Sequence, residues 1–184
     1  MPAKISRRLV IDASVARAAG GEDATNPISQ NCRDFLKALW DFGHIIVMTP
    51  DIKEEWNKHQ SIFAKRWRSS MVAKKQLEYR SDIPENRELW NAIDRLAATD
   101  KQRAEMFKDL RLIEAALATD KTVVSLDDNT ARKFFTNAAD EVDELKEIVW
   151  VNPAKPEEQA ICWLENGAAP EKERRLGFRS AEVG

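Results

Sequence analysis

Apolar positions along the chain follow two periods. Short, mainly apolar runs fall at Leu9 to Ile11, framed by Arg8 and Asp12, at His44 to Met48, at Thr122 to Leu126 and at Ile148 to Val151. Runs of this length with β-branched residues read as buried strands. Between them the spacing is helical. Ser29 to Trp40 carries Phe35, Leu36, Leu39 and Trp40 on one face, after a loop from Gly20-Gly21 through Asn26-Pro27. Thr49 caps and Pro50 opens the next helix. The stretch from Trp56 to Arg80 reads as long, helical and basic, and Ser81 to Pro84 breaks it. A helix from Pro84 carries Leu89, Trp90, Ile93 and Leu96, and Thr99-Asp100 supplies a further cap. Leu110, Ile113 and Leu117 mark a helix over Asp109 to Thr119. Asp128-Asn129-Thr130 caps another through Phe134-Phe135. A short helix with Ile161, Trp163 and Leu164 ends near Gly167, and the charged remainder is expected to be mobile.

Strands alternating with helices predict an α/β fold with a mainly parallel sheet covered on both sides. The economical division is a domain over residues 1–152, followed by a C-terminal helix and charged tail over 153–184. One segment fixes a geometry. A helix from Asp109 to Thr119 descends roughly 15 Å, and the strand after the Asp120-Lys121 turn climbs back roughly 16 Å. Asp109 and Asp127 therefore reach the same edge. Asp109 also shares a face with Leu112, Ile113 and Ala116, where an unpaired charge is costly.

Composition narrows the chemistry. Across 184 residues, 43% hydrophobic and 33% charged side chains with a formal charge of −2 describe an ordinary globular protein, with no overall basicity for nucleic acid. Cys32 and Cys162 form no CxxC, and His44 and His59 are the only histidines, so zinc and a disulfide framework are disfavoured. No segment reaches membrane-spanning length, and the apolar run behind the basic MPAKISRR is too short for a signal peptide. The expected location is the cytoplasm.

Parallel sheets place sites beyond the carboxyl ends of their strands. Asp12 ends the first strand, Glu55 follows the second, Asp127 ends the third, and Asp109 joins them: four carboxylates on one edge. Clustered acids repel unless something positive sits among them. Mg²⁺ or Mn²⁺ with oxygen ligands meets that need, and an ion so held suits hydrolysis of a phosphodiester. The basic stretch, with Lys65, Arg66, Arg68, Lys74 and Lys75, is a candidate path for a nucleic-acid backbone.

LVIDASV, the helix-borne Glu after the second strand and DLRLIEAALATDKTVVSLDD resemble the PIN domain, a family of metal-dependent nucleases that includes the VapC-like toxins. The likeness spans roughly residues 8 to 150. Its most specific part is the spacing of Asp109 and Asp127, with Ser125 two residues before the second acid. The resemblance implies a PIN-like three-layer α/β/α fold and a Mg²⁺- or Mn²⁺-dependent endoribonuclease with RNA, single-stranded or structured, as substrate. It implies Asp12, Glu55, Asp109 and Asp127 as the catalytic, metal-holding acids. Glu55 is preferred to Glu54 because the family pattern sets a hydrophobic residue, here Trp56, directly after the acid. Ser14, Ser125 and Asp128 are expected beside these acids, with Asp128 capping the next helix. For a toxin, an antitoxin and a homodimer are the implied partners. The segment from Trp56 to Asp100 and the tail after Asn152 exceed what small toxins carry.

Other residues receive plainer expectations. Trp40, Trp56, Trp90 and Trp150 are assigned to the core, and Trp67 among cations to base stacking. His44 and His59 are structural and remote from the acids; Glu114 and Asp120 are surface residues, with a place beside the site acids as the alternative for either. A catalytically inactive PIN-like scaffold that grips RNA or protein is the alternative. A dinucleotide site is disfavoured because no GxGxxG follows the first strand.

Overall fold

The computed structural model describes residues 4–179. At its centre are five parallel strands: β1 (Arg8–Ile11), β2 (Ile45–Met48), β3 (Leu77–Tyr79), β4 (Thr122–Val124) and β5 (Val149–Val151), in the order β3-β2-β1-β4-β5. The register pairs Leu9 with Ile46, Val10 with Val123, Ile46 with Leu77 and Val123 with Trp150. Leu9, Val10, Ile11, Ile46, Val47, Val123, Val124 and Val149–Val151 are fully buried, which accounts for their unbroken apolar runs.

Eight α-helices surround the sheet among the described residues: α1 (Ala13–Ala18), α2 (Pro27–Asp41), α3 (Pro50–His59), α4 (Ile62–Ala73), α5 (Arg87–Leu96), α6 (Asp100–Leu117), α7 (Lys133–Ala138) and α8 (Ala160–Glu165). Helices α1, α2, α4 and α8 pack together, α5 packs on α6 and α7, and α6 lies along β1 and β4. The arrangement is consistent with a three-layer α/β/α fold. A buried Arg33 fastens the loop before α2 by donating to the carbonyls of Ala19, Gly21 and Ala24.

Several elements depart from the sequence expectation. The basic stretch is two helices and a strand. α3 ends at His59, Ser61 caps α4 by accepting from the Ala64 N–H, and β3 follows. The helix expected from Pro84 begins at Arg87, capped by Asn86. Thr99 opens one long helix, so Asp109 sits in mid-helix and not at its start. Trp67 is core: it is 6% exposed, stacks on Trp56 and donates from Nε1 to the Leu36 carbonyl. Glu114 is buried, accepting the Asn86 N–H at 2.5 Å and facing Arg111 at 3.3 Å. Asp120 is half-buried and ties the last turn of the α6–β4 connection to β1 by accepting the Arg8 N–H and guanidinium.

The tail expected to be mobile packs onto the sheet as far as Arg179. Arg175 bridges Val149 in antiparallel fashion, Leu176 is buried and donates its N–H to Ile148, and the Arg179 guanidinium reaches Asp140 and the Thr136 carbonyl. Gly177 passes so near Lys146 that a Cβ would lie 2.8 Å from its Cα, so only glycine fits there. The rest of that expectation, residues 180–184, lies outside the described residues. His44, fully buried, accepts the Arg7 N–H at Nδ1, so Nε2 carries the proton it donates to the Leu164 carbonyl at 2.8 Å. This bond ties α8 to the sheet.

Candidate functional site

Sheet order reverses between β1 and β4, and that boundary is where open α/β sheets hold ligands, beyond the strands' carboxyl ends. Asp12 leaves β1 there, donating its N–H to the Val124 carbonyl at 2.9 Å, while Ser125 leaves β4 bonded to Val151. The Ser125 hydroxyl donates to Asp12 Oδ2 at 3.0 Å and accepts the Asp127 N–H at 3.1 Å. The Ser14 hydroxyl accepts the Leu126 N–H at 3.2 Å. Both serines thus join the two strand ends.

Asp109 comes to this edge from α6. Running back from Asp120 at the amino end of β1, the helix climbs about 1.5 Å per residue, so Asp109 arrives level with Asp12 and Asp127. The nine residues from Asp100 to Lys108 extend the helix beyond Asp109 and overhang the sheet edge. Burial first, and then the charges of Asp12, Asp127, Glu105 and Glu55, push the Asp109 carboxyl up to about 7. Among the described residues no donor lies within hydrogen-bonding distance of it. Asp12 keeps part of its surface open to the cleft, but the packing around it raises its carboxyl above the usual range, against the hydrogen bonds from Ser14 and Ser125.

The remaining acids are less free. Glu55 lies 3.5 Å from Lys58 and 3.6 Å from His59 along α3, so one histidine does stand beside a candidate acid, contrary to expectation. Asp127 is the helix cap: its Oδ1 accepts the Thr130 N–H at 3.0 Å and opens a single π-helical turn, Asp128–Arg132. Asp128, expected in that capping role, instead pairs with Lys155 at 2.6 Å and Arg132 at 3.2 Å and accepts from Asn152. Burial pushes its carboxyl up, and these partners outweigh that and hold it low. The exchange is a matter of backbone position, since Asp127 stands outside the turn with a non-helical backbone while Asp128 already lies inside it. As the side chains stand, no three Asp, Glu, His or Cys among the described residues are close enough to share one metal ion.

A cleft of about 330 Å³ opens at this edge between α3, α5 and α6, lined by Asp12, Glu55 and Asp109 but not by Asp127. Its other walls were not foreseen. Lys58, Lys108 and Arg111 supply positive charge, and Trp90 and Phe107 supply an aromatic wall. Trp90 is only half-buried, stacks on Phe107 with centroids 4.5 Å apart, and has the Arg111 guanidinium 4.9 Å from its ring centre. The one signal for this wall was the placement of Lys108 and Arg111 on either side of Asp109.

The basic residues are distributed over different places. Lys65 and Arg66 are exposed on α4, and Arg68 donates to Asn57. Lys74 lies over Trp40, and Gln76 binds the Trp40 and His44 carbonyls at the start of β2. Lys74 and Lys75 therefore sit at the amino edge of the sheet, opposite the acids.

No protein-family model matches the chain, and none of the curated proteins or solved structures compared with it is significantly similar. No helix among the described residues is long and apolar enough to cross a membrane.

Proposed function

We propose that the chain is a PIN-like, Mg²⁺- or Mn²⁺-dependent endoribonuclease, with the VapC-like toxin of a toxin–antitoxin pair, and so an antitoxin partner, as its biological setting. The observation that carries the reading is Asp109. It is a carboxylate held among four other acids, raised toward neutrality, with no cation or donor within pairing distance of it among the described residues. A charge so placed is costly unless an external cation offsets it. The donor set is all oxygen, which suits a hard divalent ion.

Asp12, Asp109 and Asp127 would hold the ion, joined by Glu55 once its side chain leaves Lys58 and His59. Such an ion supplies water activation and charge neutralisation for in-line displacement at phosphorus. The chain's own contribution is positional. Ser125 fixes the Asp12 carboxylate against the Asp127 backbone, and Lys58 and Lys108 draw an anionic strand to the cleft.

Cleavage of RNA in Mn²⁺, lost in EDTA and in Asp109→Asn, with 5′-phosphate and 3′-hydroxyl ends, is the expected result. His59→Gln should leave those ends unchanged. Cyclic 2′,3′-phosphate ends, or full activity in EDTA, would overturn the reading.

A second reading has an observation of its own. Glu55 is engaged by Lys58 and His59, and no three acids stand close enough for one ion, which favours a PIN-like scaffold that grips RNA or protein without cutting it. Titration with Mn²⁺ separates the two, because only the nuclease binds the ion through Asp109.

A further inference from the structure

The cleft wall facing the acids combines two side-chain types that recognise different parts of a nucleotide. We propose that Trp90, Phe107 and Arg111 form a seat for one unpaired nucleobase; this rests on the reading of the chain as an RNA-acting protein.

Three observations support it. The first is size, since about 330 Å³ admits a single nucleotide and lies far below the girth of a duplex. The second is chemistry. Trp90 and Phe107 lie nearly parallel, 23° apart, with Arg111 against the indole, and aromatic and guanidinium planes are the groups on which unpaired bases stack. Arg111 is held in place from three directions, by Glu114 at 3.3 Å, Glu85 at 3.5 Å and Asp51 at 3.7 Å. Its plane is therefore fixed before any ligand arrives.

The third is the neighbouring charge. Lys108, exposed on the same rim, places a cation for the adjoining phosphate while Asp109 on the next position faces the acids.

The test is binding in EDTA, so that no cleavage is required. Fluorescence anisotropy of a labelled single-stranded 12-mer should show tighter binding than the same sequence in a duplex. Trp90→Ala should weaken single-strand binding by roughly 5- to 100-fold, and Trp90→Phe by far less. Because stacking releases no counterions, the salt slope should stay unchanged. Replacing one nucleotide at a time by an abasic residue should reveal a position whose base matters to the wild type and not to Trp90→Ala. A merely structural Trp90 would not remove that dependence. Phe107→Leu, which keeps an apolar side chain, should lower affinity in the same direction. Equal affinity for duplex and single strand, no binding at all, or an abasic profile identical in wild type and Trp90→Ala would each overturn the seat. Cleavage unaffected by Trp90→Ala would leave the nuclease reading standing without it. Binding that depends on Trp90 without any cleavage would leave the seat standing without the nuclease.

Discussion

One hydroxyl joins Asp12 to Asp127: Ser125 donates to the Asp12 carboxylate and accepts the Asp127 N–H, at 3.0 and 3.1 Å. The donor and the acceptor are both used, and Ser125 is 1% exposed, so no water substitutes for it. Ser125→Ala should cost about 1–2 kcal/mol, read from the denaturant midpoint at unchanged slope. It should also reduce cleavage more than stability alone explains, while Ser125→Thr restores both.

Asp109→Asn tests the charge cluster by removing one charge and keeping the shape. In the wild type the folded carboxyl is raised to about 7 from an ordinary 3.8, so the folded state binds the extra proton. Stability from this group is therefore present below pH 4 and is lost as pH rises through 7. In EDTA, Asp109→Asn should flatten that fall and melt no lower than wild type at pH 8. Mn²⁺ at a hundredfold excess over Kd should add about 2.7 kcal/mol to the wild type and nothing to the variant. A variant that melts well below wild type in EDTA would make Asp109 a structural acid.

His44 works in the opposite direction across the same range. Burial first, with Lys4 and Arg7 nearby, lowers its pKa, so the unfolded state binds the proton more readily. Its stabilising contribution is complete above an ordinary histidine pKa of about 6.5 and falls as pH drops below it. His44→Ala should cost about 2–4 kcal/mol at pH 8, through two lost hydrogen bonds and a cavity, and less at pH 5. Thermal melts at the two pH values decide it.

The cations of the cleft should account for the salt dependence of RNA binding. Lys58→Gln with Lys108→Gln should reduce the slope of log K against log salt by about 1.4, at roughly 0.7 per phosphate of a single strand. Lys74→Gln with Lys75→Gln, on the opposite edge, should leave it unchanged. If the second pair moves the slope and the first does not, the strand follows α4.

The sheet was legible where burial is two-sided, because strands such as Leu9 to Ile11 then have no polar positions to confuse the period. β3 was not, since Leu77-Glu78-Tyr79 lies at an edge, half open to solvent, and carries no such run. Asp109 and Asp127 could be set at one edge by leg lengths, because helix and strand rises are fixed, and Asp12 by its place at the end of β1. Partnerships made through tertiary contact were invisible. Glu114 is buried because the distant Asn86 amide meets it, and Trp67 is core because Leu36 offers a carbonyl. The aromatic wall escaped notice for the same reason, since only the packing of α5 on α6 brings Trp90 to Phe107.

The strand-like crossing of Arg175 beside Val149 makes the two margins of the sheet unlike. One margin is occupied by the chain's own tail, which leaves β3, three residues long and bearing an exposed Tyr79, as the margin with open backbone groups. Among the described residues the sheet therefore has one covered margin and one open one. Any substitution at Gly177 that pushed the tail away from Lys146 would uncover the β5 margin as a second open edge.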